Sequence, residues 1–276
     1  MDQFRPQGFS ILPLVVKNLL IINGLMFAAT LVLDSRGIDL TNILGLHFFT
    51  SDLFKPYQLV THMFMHGSFL HIFSNMFALW MFGSSLENAW GPKRFFFFYF
   101  SCGLGGAFMH LGVSWWTYHG IAQDINAYQL HPGLAEFVSL IQRHNDVLSE
   151  SYAKSINNFY NSWQANPNDP SMINTSRQMA TLVLKGFADI PIIGASGAVF
   201  GVLVGFGMLF PNQYIYLNFL FPIKAKYFVI GYAVLELISG VTGSQDGIAH
   251  FAHLGGALVG FLLVKYWNRN LRKDFF

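Results

Sequence analysis

Four polar side chains sit in stretches that otherwise suit only hydrocarbon. Ser196 stands in "PIIGASGAVFGVLVGFG" (191–207), flanked by Gly194, Ala195, Gly197 and Ala198. His253 stands in "AHFAHLGGALVG" (249–260), and His71 and Asn75 in "HIFSNMFALWMFG" (71–83). A serine hydroxyl and an imidazole are the parts of a nucleophile and its general base, provided they come within about 2.6–3.2 Å. His71 and Asn75, four residues apart, share one face of a helix. Beside a serine nucleophile they would donate hydrogen bonds to the oxyanion of a tetrahedral intermediate, with the Ser196 backbone N–H as a further donor. Each residue alone also has a plainer reading. Serine is a favoured small packing residue in membrane helices, a lone histidine is often an interhelical hydrogen-bonder, and the His71/Asn75 pair could clasp two helices together.

The elements that must position these groups are helices in a bilayer. The chain has 276 residues, of which 53% are hydrophobic and 11% charged, with a mean hydropathy of +0.41. Soluble domains carry roughly 25% charged residues. Apolar runs near 20 residues long recur between charges, prolines and glycines, the pattern of an all-α, polytopic membrane bundle. Six spans are expected, at about 12–33, 68–88, 95–115, 191–210, 226–242 and 248–266. The net charge of +2 is spread between spans and implies no nucleic-acid partner. The single cysteine, Cys102, excludes an internal disulfide.

Two connections are long, 34–66 and 116–188. In the second, Leu134, Phe137, Ile141 and Leu148 recur at helical spacing and predict an amphipathic helix, while "QANPNDPSM" predicts a turn. This insert is expected to form a cap at the membrane surface or facing substrate. Its sequon Asn174-Thr175-Ser176 has meaning only in a glycosylating compartment. Lys93 and Arg94, Lys224 and Lys226, and Lys265, Arg269, Arg272 and Lys273 fall on one side together with Arg5 and Lys17. By the positive-inside rule both termini are then cytoplasmic and the long connections face outward. Spans two, four and six run inward in parallel, which puts His71, Asn75, Ser196 and His253 roughly 5–12 Å below the outer boundary. Polar groups sharing one depth are expected to face one another rather than lipid.

Gly197, Gly201 and Gly205 recur at intervals of four, as do Gly256 and Gly260. Such ridges allow close helix packing. If the two ridges pack, Ser196 and His253 meet at their outer end. No carboxylate is an obvious third member of this pair. Glu87 suits a structural cap or ion pair near Lys93 and Arg94, Asp246 falls in an outer loop, and Glu236 is an intramembrane acid without an assigned partner. The reading is therefore a serine–histidine dyad.

Taken together, "GASGAVFG", "HGSFLHIFSNMFALWMFGSSLE" and "AHFAHLGGALVG", in this order, resemble the rhomboid intramembrane serine proteases across about 55–112 and 190–268. The resemblance implies a six-helix rhomboid-like bundle in which Ser196 is the nucleophile, His253 the base, and His71 and Asn75 the oxyanion pair. It also implies support near the site from His66 and from His62. Phe200 stands where the family commonly has a tyrosine packing on the histidine, and Tyr57 and Gln58 replace its loop Trp-Arg pair. Glu87 matches a structural acid. The implied substrates are single-span membrane proteins, cut within the lipid bilayer near small residues in segments whose helix is easily unwound, with no metal or cofactor. The implied setting is the cell membrane, with the active site open to the extracytoplasmic side. The long insert is atypical of the family, and the oligomeric state is left open.

Three other classes fit these residues less well. A di-iron oxygenase would use His62, His66, His71, His250 and His253, but such enzymes need about eight imidazoles, and a His-His doublet is missing. A non-cutting relative that binds membrane clients would usually lack the serine or the histidine. A transporter would show repeated or broken helix pairs, and none is evident.

Overall fold

The computed structural model describes residues 9–145, 148, 150–217, 221–242 and 249–271. Arg5, Asp246, Arg272 and Lys273 lie outside the described residues. The chain is an all-α bundle, and among the described residues its only strands form a small antiparallel hairpin, β1 (Tyr214–Leu217) with β2 (Phe221–Lys224). Two compact units emerge. The first comprises residues up to Leu46, Pro56–His110 and those from Ile192 onward; the second comprises His47–Lys55 and Leu111–Pro191.

In the first unit, α1 (Leu14–Asp34) starts after Pro13, a residue whose fixed φ suits a helix entry. Its first-turn amides have no intrahelical acceptors. The Glu87 carboxylate supplies them, accepting from Val15 N and Val16 N at 2.9 Å each. Glu87 is buried, so its charge is held by two donors at the positive end of a helix dipole. Glu87 does not pair with Lys93 or Arg94 among the described residues; Arg94 instead lies over the Trp267 ring at 4.0 Å. Glu87→Ala is expected to destabilise the protein by about 2 kcal/mol, read as a lower unfolding temperature in detergent.

After α2 (Leu40–Leu44), α3 (Gln58–Thr61) and a single 3₁₀ turn at His62–Phe64, the Ser68 hydroxyl caps α4 (Phe69–Ala78) by accepting from His71 N at 3.2 Å. A wide π-type turn at Leu79–Gly83 joins α4 to α5 (Ser84–Trp90). Gly91, at φ +81°, ends that run, and Pro92 opens α6 (Pro92–Leu130). Glycine past a helix end and proline at the next start are the expected punctuation. With 39 residues, α6 is about 58 Å long, nearly twice the hydrocarbon thickness of a bilayer. It contributes to both units.

Residues 191–195 are not helical. Ile192 instead pairs with Leu46 through two backbone hydrogen bonds of 2.9 Å, so that α10 (Ser196–Leu209) begins at the serine itself. Ten of its 14 residues are buried, which makes it the central helix of the unit. At about 21 Å it is shorter than a bilayer core. The unit is completed by α11 (Ala225–Thr242), whose apolar side chains are mostly exposed, and α12 (His250–Leu271). Among the described residues, four helical stretches are long and apolar enough to cross a membrane: Leu14–Asp34, Phe69–Trp90, Pro92–Leu130 and Ala225–Thr242.

Small residues set how closely these helices approach. A Cβ on Gly260 would sit 2.9 Å from the Gly201 carbonyl oxygen, and one on Gly106 would lie 2.6 Å from the Ala252 oxygen. A Cβ on Gly256 would collide with the Gly197 carbonyl. Lipid tails are as apolar as side chains, so this backbone-level packing, not hydrophobic burial, holds α6, α10 and α12 together.

The second unit has its own apolar core. The last turns of α6 supply Ile121, Ile125 and Tyr128. They pack with Phe137 and Leu140 of α7 (Leu134–Arg143), Ile156, Phe159 and Trp163 of α8 (Glu150–Ala165), and Ala180 and Val183 of α9 (Ser171–Ala188). The expected amphipathic helix is α7, which ends at Arg143, and it is one of three helices packed on the last turns of α6. Leu148 falls beyond the end of α7 yet joins the same cluster, and the "QANPNDPSM" tract forms the bend between α8 and α9. Ser176, the sequon serine, is buried; its hydroxyl bonds the Ile173 carbonyl at 2.8 Å and the Tyr128 hydroxyl. Asp124 ties α6 to the end of α7 through Arg143 at 3.0 Å and His144 at 2.9 Å.

Candidate active site

The site is assembled within the first unit from α4, the segment preceding it, and α10, α11 and α12. Ser196 opens α10, where backbone amides lack intrahelical acceptors. Gly194, two residues earlier, has φ +125°, a conformation that disfavours any residue with a Cβ. The same position is also crowded: a Cβ there would lie 2.7 Å from His71 Nε2 and 3.6 Å from Ser196 Oγ. The glycine therefore lets the chain turn and lets the His71 ring approach the serine.

Phe200 follows Ser196 by one helical turn, on the same face of α10. Its ring stacks on the His253 ring, with centroids 4.3 Å apart and planes 6° from parallel. The imidazole of α12 is therefore laid flat along the face of α10 that presents the serine. The crossing of the two helices at Gly197–Gly256 and Gly201–Gly260 permits this closeness.

Asn75 is buried on α4, and its side-chain amide donates one hydrogen bond to the His71 carbonyl at 3.1 Å. An amide group carries two such protons, so one remains for another acceptor. The His66 ring meets the His71 ring edge-on at 4.9 Å between centroids. His62 lines a small cavity together with Ser196, Gly106, Gly194 and Ala252. Its Nδ1 faces the Gln58 carbonyl at 2.8 Å, which requires that nitrogen to carry the proton. Burial pushes the His62 imidazole down to about 4, so it is neutral at pH 7. Its own carbonyl accepts from Gly194 N at 2.9 Å, pinning the turn that leads into Ser196. Gln58 is fully buried and reaches the Ile43 carbonyl at 3.2 Å.

Sequence reasoning left Glu236 without a partner, and the structure supplies two. Glu236 Oε2 is 2.9 Å from His253 Nδ1 and 2.7 Å from His250 Nδ1, with all three side chains buried. Tyr232, one turn earlier on α11, packs on Phe200 with centroids 4.8 Å apart. A signal for this was available, because an acid within a span calls for a named partner. The choice among the histidines was not. The ligand atoms of Glu236, His250 and His253 all lie within 4.8 Å of one another, a spacing that could hold a metal ion. Two hydrogen bonds already account for that closeness.

Comparison with known proteins agrees with this architecture. The family model of the Rhomboid domain matches residues 54–121 and 172–269, and so breaks across most of the insert. "Rhomboid protein 1, mitochondrial" of Saccharomyces cerevisiae is 26% identical over 218 residues, covering 76% of this chain and 42% of that protein. "RHOMBOID-like protein 12, mitochondrial" of Arabidopsis thaliana is 26% identical over 248 residues, covering 89% of this chain and 56% of that protein. The chain thus spans about half the length of these curated relatives. With matched segments that take in the serine turn, both flanking histidine helices and most of the membrane-spanning bundle, the chain belongs to the rhomboid family.

Proposed function

We propose that the protein is an intramembrane serine endopeptidase. The reading is carried by one observation: His253 lies flat on Phe200, one turn below Ser196 on the same helix face. In the reaction Ser196 Oγ attacks a substrate carbonyl carbon while its proton passes to His253 Nε2. The oxyanion so formed accepts hydrogen bonds from the Ser196 N–H, Asn75 Nδ2 and His71 Nε2, a reading supported by the His71 ring lying beside the Gly194 turn that leads into the serine. His253 returns the proton to the leaving amine, and water then hydrolyses the acyl-enzyme by the same steps in reverse order of partners. His66 supports the His71 ring, and no metal or cofactor is needed for this chemistry.

Substrates are single-span membrane proteins whose helix unwinds locally, because a helical peptide bond is shielded by its own side chains. Residues 1–276 act as one rhomboid-like membrane domain carrying an extracytoplasmic insert. The setting is the cell membrane, with both termini cytoplasmic and the site open to the outward side, the orientation that the basic residues favour. The relatives' printed names support a second reading of the compartment, a mitochondrial membrane; fractionation of cells expressing the tagged protein separates the two.

The test is incubation of the detergent-solubilised protein with a generic transmembrane substrate and with a fluorophosphonate probe, wild type against Ser196→Ala. Cleavage and labelling lost together in the variant support the proposal, and full cleavage by the variant ends it. Asn75→Ala is expected to weaken cleavage without abolishing it, by up to about 2.7–4 kcal/mol of transition-state stabilisation, read as a lower kcat.

A further inference from the structure

We propose that Glu236 is a positioning residue for His253, so that serine, histidine and glutamate form a hydrogen-bonded triad whose carboxylate is held in place by His250. This rests on the protease reading above. A carboxylate oxygen at neutral pH only accepts hydrogen bonds. Both contacts at Glu236 Oε2, 2.9 Å from His253 and 2.7 Å from His250, involve Nδ1. Each Nδ1 must therefore carry a proton, and His253 Nε2 is left with the lone pair that a general base needs.

Two further constraints make the arrangement directional. Phe200 fixes the plane of the His253 ring by stacking, while Glu236 fixes its rotation within that plane. The two histidines lie three residues apart on α12 and share a face, so one carboxylate can meet both. A buried carboxylate with a single donor would be poorly compensated; His250 supplies the second. When Ser196 gives up its proton, His253 becomes an imidazolium next to a fixed negative charge. The Nδ1 proton stays on the histidine throughout, Glu236 takes none, and charge balances within the trio, as in soluble serine hydrolases. A merely structural Glu236 would tie α11 to α12 and affect stability without a selective effect on turnover.

The experiment compares wild type, Glu236→Gln, Glu236→Asp and His250→Gln, each full length and detergent-solubilised. For each, kcat, KM, the rate of fluorophosphonate labelling and the unfolding temperature are measured. Glu236→Gln is expected to lower kcat about 10²- to 10⁴-fold, with KM unchanged and labelling slowed in step. Glu236→Asp should recover part of the loss, and His250→Gln should fall between wild type and Glu236→Gln. If Glu236→Gln does not fold, the kcat of His250→Gln decides. Unchanged kcat in the folded variants overturns the proposal and leaves the serine reading intact, since that reading falls only with an active Ser196→Ala. Activity lost on chelation with EDTA and restored by Zn²⁺ would also overturn it, in favour of a cation held by the same three side chains.

Discussion

Ser196→Ala and His253→Ala should each reduce cleavage by on the order of 10⁴- to 10⁶-fold, and the double variant should be no worse than either single one. The non-additivity follows from the division of labour. The hydroxyl is a weak nucleophile until a base removes its proton, and the base does nothing productive without the hydroxyl; removing either removes the whole step. The structure favours a clean result at both positions. Ser196 is only partly buried at the first position of α10, so losing one oxygen leaves no core cavity. His253 is different, because its removal strips Phe200 of its stacking partner and Glu236 of one of two donors. His253→Ala should therefore also unfold at a lower temperature, whereas Ser196→Ala should unfold like wild type. Substrate-cleavage rates measured alongside unfolding temperatures check both statements. Equal stability losses in the two variants would contradict the packing described for His253.

The second large effect is expected at a residue with no chemistry at all. Gly256→Ala adds one methyl group, and the added carbon falls on the Gly197 carbonyl oxygen and carbon. Both are backbone atoms, at the start of the helix that carries Ser196. A flexible side chain could rotate away, but a helix backbone must move as a body. Overpacking of an ordinary core costs about 1–3 kcal/mol; here the upper end, about 3 kcal/mol, is the expected minimum. Separation of α10 from α12 would also carry His253 away from the serine, so fluorophosphonate labelling should fall along with the unfolding temperature. Gly24→Ala is the control, since a Cβ there meets nothing within 4 Å. It should be neutral or slightly stabilising, because alanine is the better helix former.

Read as a string, the chain already specified an all-α membrane bundle and its family. Low charge and recurrent apolar runs exclude a soluble core, and lipid leaves helices as the economical way to satisfy backbone groups. The glycine ridges were visible for a related reason: a period of four places small residues along one helix face, and only such faces pack tightly in hydrocarbon. A local rule also carried the bend between α8 and α9, where the prolines and asparagines of "QANPNDPSM" mark a turn.

What stayed out of reach were contacts between residues far apart in the chain with no periodic signature. Glu87 caps a helix that starts more than 70 residues earlier, although nothing near Glu87 names Val15 or Val16. Glu236 meets His250 and His253 only because α11 packs beside α12 at one particular rotation. The insert shows the same limit at larger scale: its helices share a core whose partners no single amphipathic stripe identifies. Composition and spacing are local properties and determine which elements form and which faces are small, apolar or polar. Which acid serves which histidine depends on the relative rotation and depth of separate helices, and those quantities exist only once the whole bundle has packed.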